Sequence, residues 1–247
     1  MDSEETQSEI TVDAAVQPVE SRWNDVSHAS DSTLTEDLAL ALLKRQDLSS
    51  ETIEQFTKNA SVAKSRKVRL AIAAHPHTPR RIALRLIREF YTFDLMQFSL
   101  KPVVAADLKH AADQMLVAKI SSITLGERIS LARRASGSVA AALLLAKEPR
   151  VWQTALENPR LTEAALVKAL LHLTAAPTFV EAVSHHRKWS VRHEVRMALL
   201  RNQHTPLARA LQFARTLPPP QLRDILHTSR LPEKVKVYLR KESNNKK

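Results

Sequence analysis

The stretch VRLAIAAHPHTPRRIAL at residues 68–84 returns as VRMALLRNQHTPLARAL at residues 195–211. Val68 matches Val195, Arg69 matches Arg196, Thr78-Pro79 matches Thr205-Pro206 and Ala83-Leu84 matches Ala210-Leu211. A looser copy, VWQTALENPRLTEAAL at 151–166, sets Asn158-Pro159 against His75-Pro76. A chain that repeats a short pattern is built of copies of one unit, each burying its apolar face on its neighbours.

Every copy carries its own stop and start signals. A residue before proline is pushed out of the helical region, so His75-Pro76 and Asn158-Pro159 end a short first helix. Thr78, Thr162 and Thr205 are placed to accept from the free amides of a second helix, and Pro79 and Pro206 to open it. The predicted unit is helix, tight turn, helix. Weaker copies lie at LALALLKRQDLSSETI (38–53), RISLARRASGSVAAAL (128–143), SHHRKWS (184–190) and ILHTSRLPEKVKVYL (225–239). The last polar residue before each turn gives the markers Arg45, His75, Arg134, Asn158, His185, Asn202 and Thr228. The long gap between His75 and Arg134 places a degenerate copy near Ser99 to Pro102.

The pattern V-R-x-A-x-x-x-[HN]-P-x-T-P followed by a leucine-rich helix resembles the bacterial leucine-rich repeat variant and the related HEAT-like helical solenoids, over residues 36–242. That resemblance implies an all-α, right-handed solenoid of stacked helical pairs that meets its partners along a concave face. Some leucine-rich repeat variants carry an iron–sulfur cluster on cysteines; this chain has 0 Cys, and no cofactor is expected.

Composition supports short helices. The 247 residues include only 2 Gly, and most of the 12 Pro lie at unit boundaries, as many helices without hairpins would leave them. Aromatic residues make up 4 %, so the core is expected to be Leu, Ala, Val and Ile at helical spacing. No window reaches the roughly 18 apolar residues of a membrane span. With no signal peptide at the acidic start, the expected compartment is the cytoplasm.

Charge divides the chain. Residues 1–33 hold eight acids against one base and are expected to form a disordered acidic tail, with Trp23 as an anchor beside Val19 and Val26. The remainder carries 36 basic and 18 acidic side chains, and residues 185–247 alone hold 15 Lys and Arg against four acids. Residues 34–242 are expected to form one repeat domain and 243–247 a basic tail. Residues 90–102 are expected to be irregular, ahead of a long helix from Val103 to about Ser122.

Catalytic motifs are lacking: there is no HExxH, no G-x-S-x-G and no glycine-rich phosphate loop. His75-x-His77, His185-His186 and His193 lack the spacing of a metal site on one helix face. His75 and His185 instead hold the turn position that Asn158 and Asn202 fill elsewhere. RRAS at 133–136 has the form of a basophilic kinase site but falls on a turn.

Equivalent positions of stacked units lie in rows. Arg69, Arg128, Trp152 and Arg196 are expected to form a ladder on the first helices, and Arg88, Lys147 and Arg215 another on the second. Arg81, Arg85 and Arg88 share one helix face. Trp189, flanked by bases, is expected to be an exposed anchor beside Arg192, Arg196 and Arg201. The expected function is that of a non-enzymatic scaffold for a protein partner or polyanion. Nucleic-acid binding is the alternative, and an unrecognised enzyme comes third. No small-molecule substrate is evident.

Overall fold

The computed structural model describes residues 19–244. The acidic segment 1–18, the side chain of Trp23 and residues 245–247 lie outside the described residues. Among those described, the chain is all-α, with sixteen short helices and no strand. The chain divides into two compact units, Met1–Leu86 and Ile87–Lys247.

In the first unit, α1 (Val19–Ser30), α2 (Glu36–Leu42), α3 (Ser50–Lys58) and α4 (Arg66–Ala74) lead into α5 (Arg80–Arg88), within which the boundary falls. The expectation of an unstructured 1–33 is corrected from residue 19 onward. Ala29 of α1 is fully buried, α1 packs on α3, and Asp25 forms an ion pair with Arg45 at 2.8 Å. The charge of this segment hid a helix whose acid has a specific partner.

The second unit holds α6 (Thr92–Leu100), α7 (Ala106–Lys119), α8 (Leu125–Arg134), α9 (Gly137–Leu143), α10 (Pro149–Leu156) and α11 (Glu163–Leu171). It continues through α12 (Pro177–His185), α13 (His193–Arg201), α14 (Leu207–Ala214), α15 (Pro219–Thr228) and α16 (Glu233–Asn244). Helix α6 replaces the irregular connection expected over 90–102; it buries Leu95, Met96 and Phe98, and α7 is shorter at both ends than expected. The helices pack next-but-one, α6 on α8 and α8 on α10, α7 on α9, α9 on α11, α11 on α13 and α13 on α15.

Local chemistry sets the helix starts. Thr35, Ser49, Ser65, Thr124, Ser136 and Thr162 each accept a backbone amide of the first turn, and Thr124 forms a full capping box with Glu127. Pro149, Pro177 and Pro219 occupy first-turn positions where a missing N–H costs nothing. Thr78 and Thr205 depart from expectation. Their hydroxyls donate backward to Ile72 O and Leu199 O, so they close the first helix rather than cap the second.

A repeated side-chain device closes the helix ends and links helices that are two apart in the chain. Asn59, His75, Asn158, His172, His186, Asn202 and Ser229 each accept the backbone amide two residues on. Most of them also reach back to the end of the helix two before. Asn59 donates to Ala29 O and Asp31 O, Asn158 to Ala132 O and Ala135 O, Asn202 to Leu170 O and Ser229 to Leu200 O, while His75 Nε2 bonds Arg45 O at 2.7 Å. The orphan carbonyls of one helix end are thus satisfied by the turn stacked on it. His185 does not hold this position; His186 does, bonding Glu157 at 3.0 Å, and the last marker moves from Thr228 to Ser229.

Burial pushes the His75 imidazole below its ordinary value, against the opposing bond to Arg45 O. The unfolded chain therefore takes up this proton first. Its contribution to stability is whole above pH about 6.5 and declines as pH falls below that value. His75→Asn, which installs the residue found at Asn158 and Asn202, is expected to flatten the decline in urea-unfolding free energy between pH 7.5 and 5.5. An unchanged slope would remove His75 as its source.

Candidate polyanion-binding surface

Several of the expected site residues are structural clips. Arg128 Nη1 pairs with Glu148 at 3.0 Å, and its Nε is buried without a hydrogen-bond partner. Arg196 donates from Nε to Ser190 O at 2.8 Å and lies 5.8 Å from the Phe213 ring, which Arg209 also covers at 4.9 Å. Arg209 in turn donates to Ser184 O. These guanidiniums tie a helix to the next but one or to the turn beside it.

Both tryptophans are corrected from surface to core. Trp152 is 2 % exposed and meets Phe179 edge-on at 5.6 Å. Trp189 is also 2 % exposed, its indole N–H donating to Leu156 O at 2.9 Å. Lys188 sits 4.2 Å over that ring, covering what was expected to be an open anchor.

The first ladder is not a single row. Arg128 on α8 and Trp152 on α10 belong to helices that pack together, whereas Arg196 lies on α13, which packs on α11 and α15. The copies at 151 and 195 are three helices apart, so α10 and α13 belong to different series of next-but-one contacts. Arg69, half-buried on α4, lies in the first unit. Of the second ladder, Lys147 lies in the link between α9 and α10, Arg88 ends α5 and Arg215 follows α14.

Two basic regions remain exposed. In the first unit, Arg81 and Arg85 on α5 and Lys58 on α3 line a shallow groove of about 450 Å³, whose one acid, Glu54, pairs with Arg81. In the second, Arg187 and Arg192 flank the buried Trp189, and neither has an ion-pair partner among the described residues. Exposed Arg223, Lys234, Arg240 and Lys241 follow along α15 and α16. Arg201, half-buried at the end of α13, faces a separate cleft.

Sequence reasoning missed Tyr238. It is 58 % exposed on α16, with Lys234 four residues before it and Lys241 three after, on the same helix face. The i, i+4, i+7 spacing of these residues was the available signal. No helix among the described residues is long and apolar enough to cross a membrane. Comparison with protein-family models, curated proteins and solved structures returned no match.

Proposed function

We propose that this chain is a non-enzymatic helical-repeat scaffold of the HEAT-like solenoid kind, and that its last helices bind an acidic protein surface. Next-but-one packing with a polar link at each turn supports the repeat reading. The observation that carries the partner is charge. Arg187, Lys188, Arg192, Arg223, Lys234, Arg240 and Lys241 are exposed, against Glu194, Asp224 and Glu233 among the exposed acids of the same stretch. Such a surplus steers an anionic partner to the surface.

Exposed Tyr238 between Lys234 and Lys241 favours a second reading, a nucleic acid whose bases stack on the ring while its phosphates meet the lysines. Salt separates the two. About five phosphate contacts to duplex DNA predict a slope of log affinity on log salt near −4.5, and a mixed protein interface a shallower one.

Arg187→Glu with Arg192→Glu is expected to weaken binding to polyglutamate or to labelled DNA at least tenfold, while unfolding free energy moves by only about 0.5 kcal/mol. Fluorescence titration and urea melts of wild type and variant check both. Arg196 is left out because its clip to Ser190 would confound the melt. Wild type that binds neither probe would overturn the acidic-partner reading.

A further inference from the structure

We propose that the cleft where the turns after α11, α13 and α15 meet is a binding site for a phosphate monoester. It encloses about 220 Å³, and four cationic or titratable side chains line it: His172, Arg201, His204 and Arg230. No carboxylate is among its lining residues. This inference is independent of the basic face, since a small phosphate compound can enter the cleft without any macromolecule.

Hydrogen bonding leaves the donors of these groups turned to new use. His172 Nδ1 accepts the Thr174 amide, so a neutral ring carries its proton on Nε2. His204 Nε2 bonds the Gln203 carboxamide nitrogen at 3.0 Å, which leaves its proton on Nδ1. Each ring therefore keeps one N–H uncommitted. Arg201 has no side-chain partner among the described residues, and Arg230 uses only Nη1, on Leu171 O at 3.4 Å.

Three helix C-termini converge here, and their partial negative charge would repel an anion if their carbonyls were open. They are already engaged. Leu170 O accepts from Asn202, Leu171 O from Arg230, Leu199 O from Thr205, Leu200 O from Ser229 and Arg201 O from the Arg230 amide. The guanidinium of Arg201 is thus not needed as a helix cap.

A monoester fits better than a running backbone. A phosphomonoester presents three terminal oxygens and a charge near −2 to two forked cations and two N–H groups, whereas a diester has two such oxygens and one charge. The cleft is a pocket between stacked turns and has room for one such group. Leu173, 77 % exposed, and Leu171, 38 % exposed, border it, and they would contact the carbon body that carries the phosphate. That body is a small phosphorylated compound or a phosphorylated side chain.

Calorimetric titration of the full chain with inorganic phosphate, phenyl phosphate, O-phosphoserine and a short DNA duplex tests the assignment. Saturable binding of the monoesters is expected, with phenyl phosphate tighter than inorganic phosphate because of the leucine lip. Tighter binding of O-phosphoserine than of phenyl phosphate would assign the carrier as a side chain, and the reverse a free compound. Arg201→Gln is expected to weaken monoester binding at least tenfold, and Arg187→Glu with Arg192→Glu to leave it within twofold. Histidine ring NMR signals of His172 and His204 should shift on addition of phenyl phosphate in wild type and not in Arg201→Gln. No saturable monoester binding, an Arg201→Gln variant that binds like wild type, or DNA that binds in the cleft more tightly than any monoester would each overturn the proposal.

Discussion

Asn158→Ala is expected to lower the unfolding free energy by about 3–5 kcal/mol, a large share of the ~5–15 kcal/mol typical of a folded domain. The side chain is 0 % exposed. It donates to Ala132 O at 2.8 Å and Ala135 O at 3.2 Å and accepts the Arg160 amide at 2.8 Å. Truncation leaves two buried carbonyls unpaired, each at a cost of about 1–3 kcal/mol, together with the part-buried Arg160 amide. Asn158→His is expected to lose less, because His75 in its own turn bonds one carbonyl, Arg45 O, and accepts the amide two residues on. Urea unfolding of the two variants measures the difference. A loss under about 1 kcal/mol for Asn158→Ala would mean that water replaces the carboxamide and that the link does not hold α10 to α8.

Gly137→Ala is expected to cost about 2–3 kcal/mol by overpacking, although alanine is the better helix former. A Cβ at Gly137 would lie 2.3 Å from Arg160 O and 3.2 Å from its carbonyl carbon, both backbone atoms that cannot rotate away. Gly126 provides the internal comparison. Nothing lies within 4 Å of a Cβ built there, and Gly126→Ala in α8 is expected to raise stability by up to about 1 kcal/mol. Thermal melts of both variants should therefore move in opposite directions. Gly137 and Asn158 act on one turn, residues 157–161, so the double variant is expected to lose less than the sum of the single losses.

How far the sequence reveals this architecture depends on which interaction is local. The helix breaks were legible because Pro76, Pro159 and the Thr162 cap act within a few residues, and Asn158, Asn202 and His75 were legible as one position. The burial of Trp189 was not. Its indole bonds Leu156, 33 residues away, and only the packing of successive turns brings the two together. Charge misled in both directions. The acids of α1 suggested disorder until Asp25 met Arg45, and Arg196 suggested a contact surface although its guanidinium is bound to Ser190 O and Phe213. Row membership was also out of reach, because the pattern at 151 and 195 specifies a helix and its turn but not which row the helix joins.

The turn-to-turn links have a mechanical corollary. Those of Asn59, His75, Asn158, Asn202 and Ser229 span between 23 and 32 residues, so each ties a segment only to the one before it in the chain. Within the second unit, Asn202 and Ser229 join α11, α13 and α15 consecutively, so tension along these helices loads those links one after another. Release of the last one leaves the next intact, and extension under tension should proceed in steps of about one helix pair rather than in a single rupture. Arg230, which reaches back 59 residues to Leu171, is the bond that would make the final segments yield together.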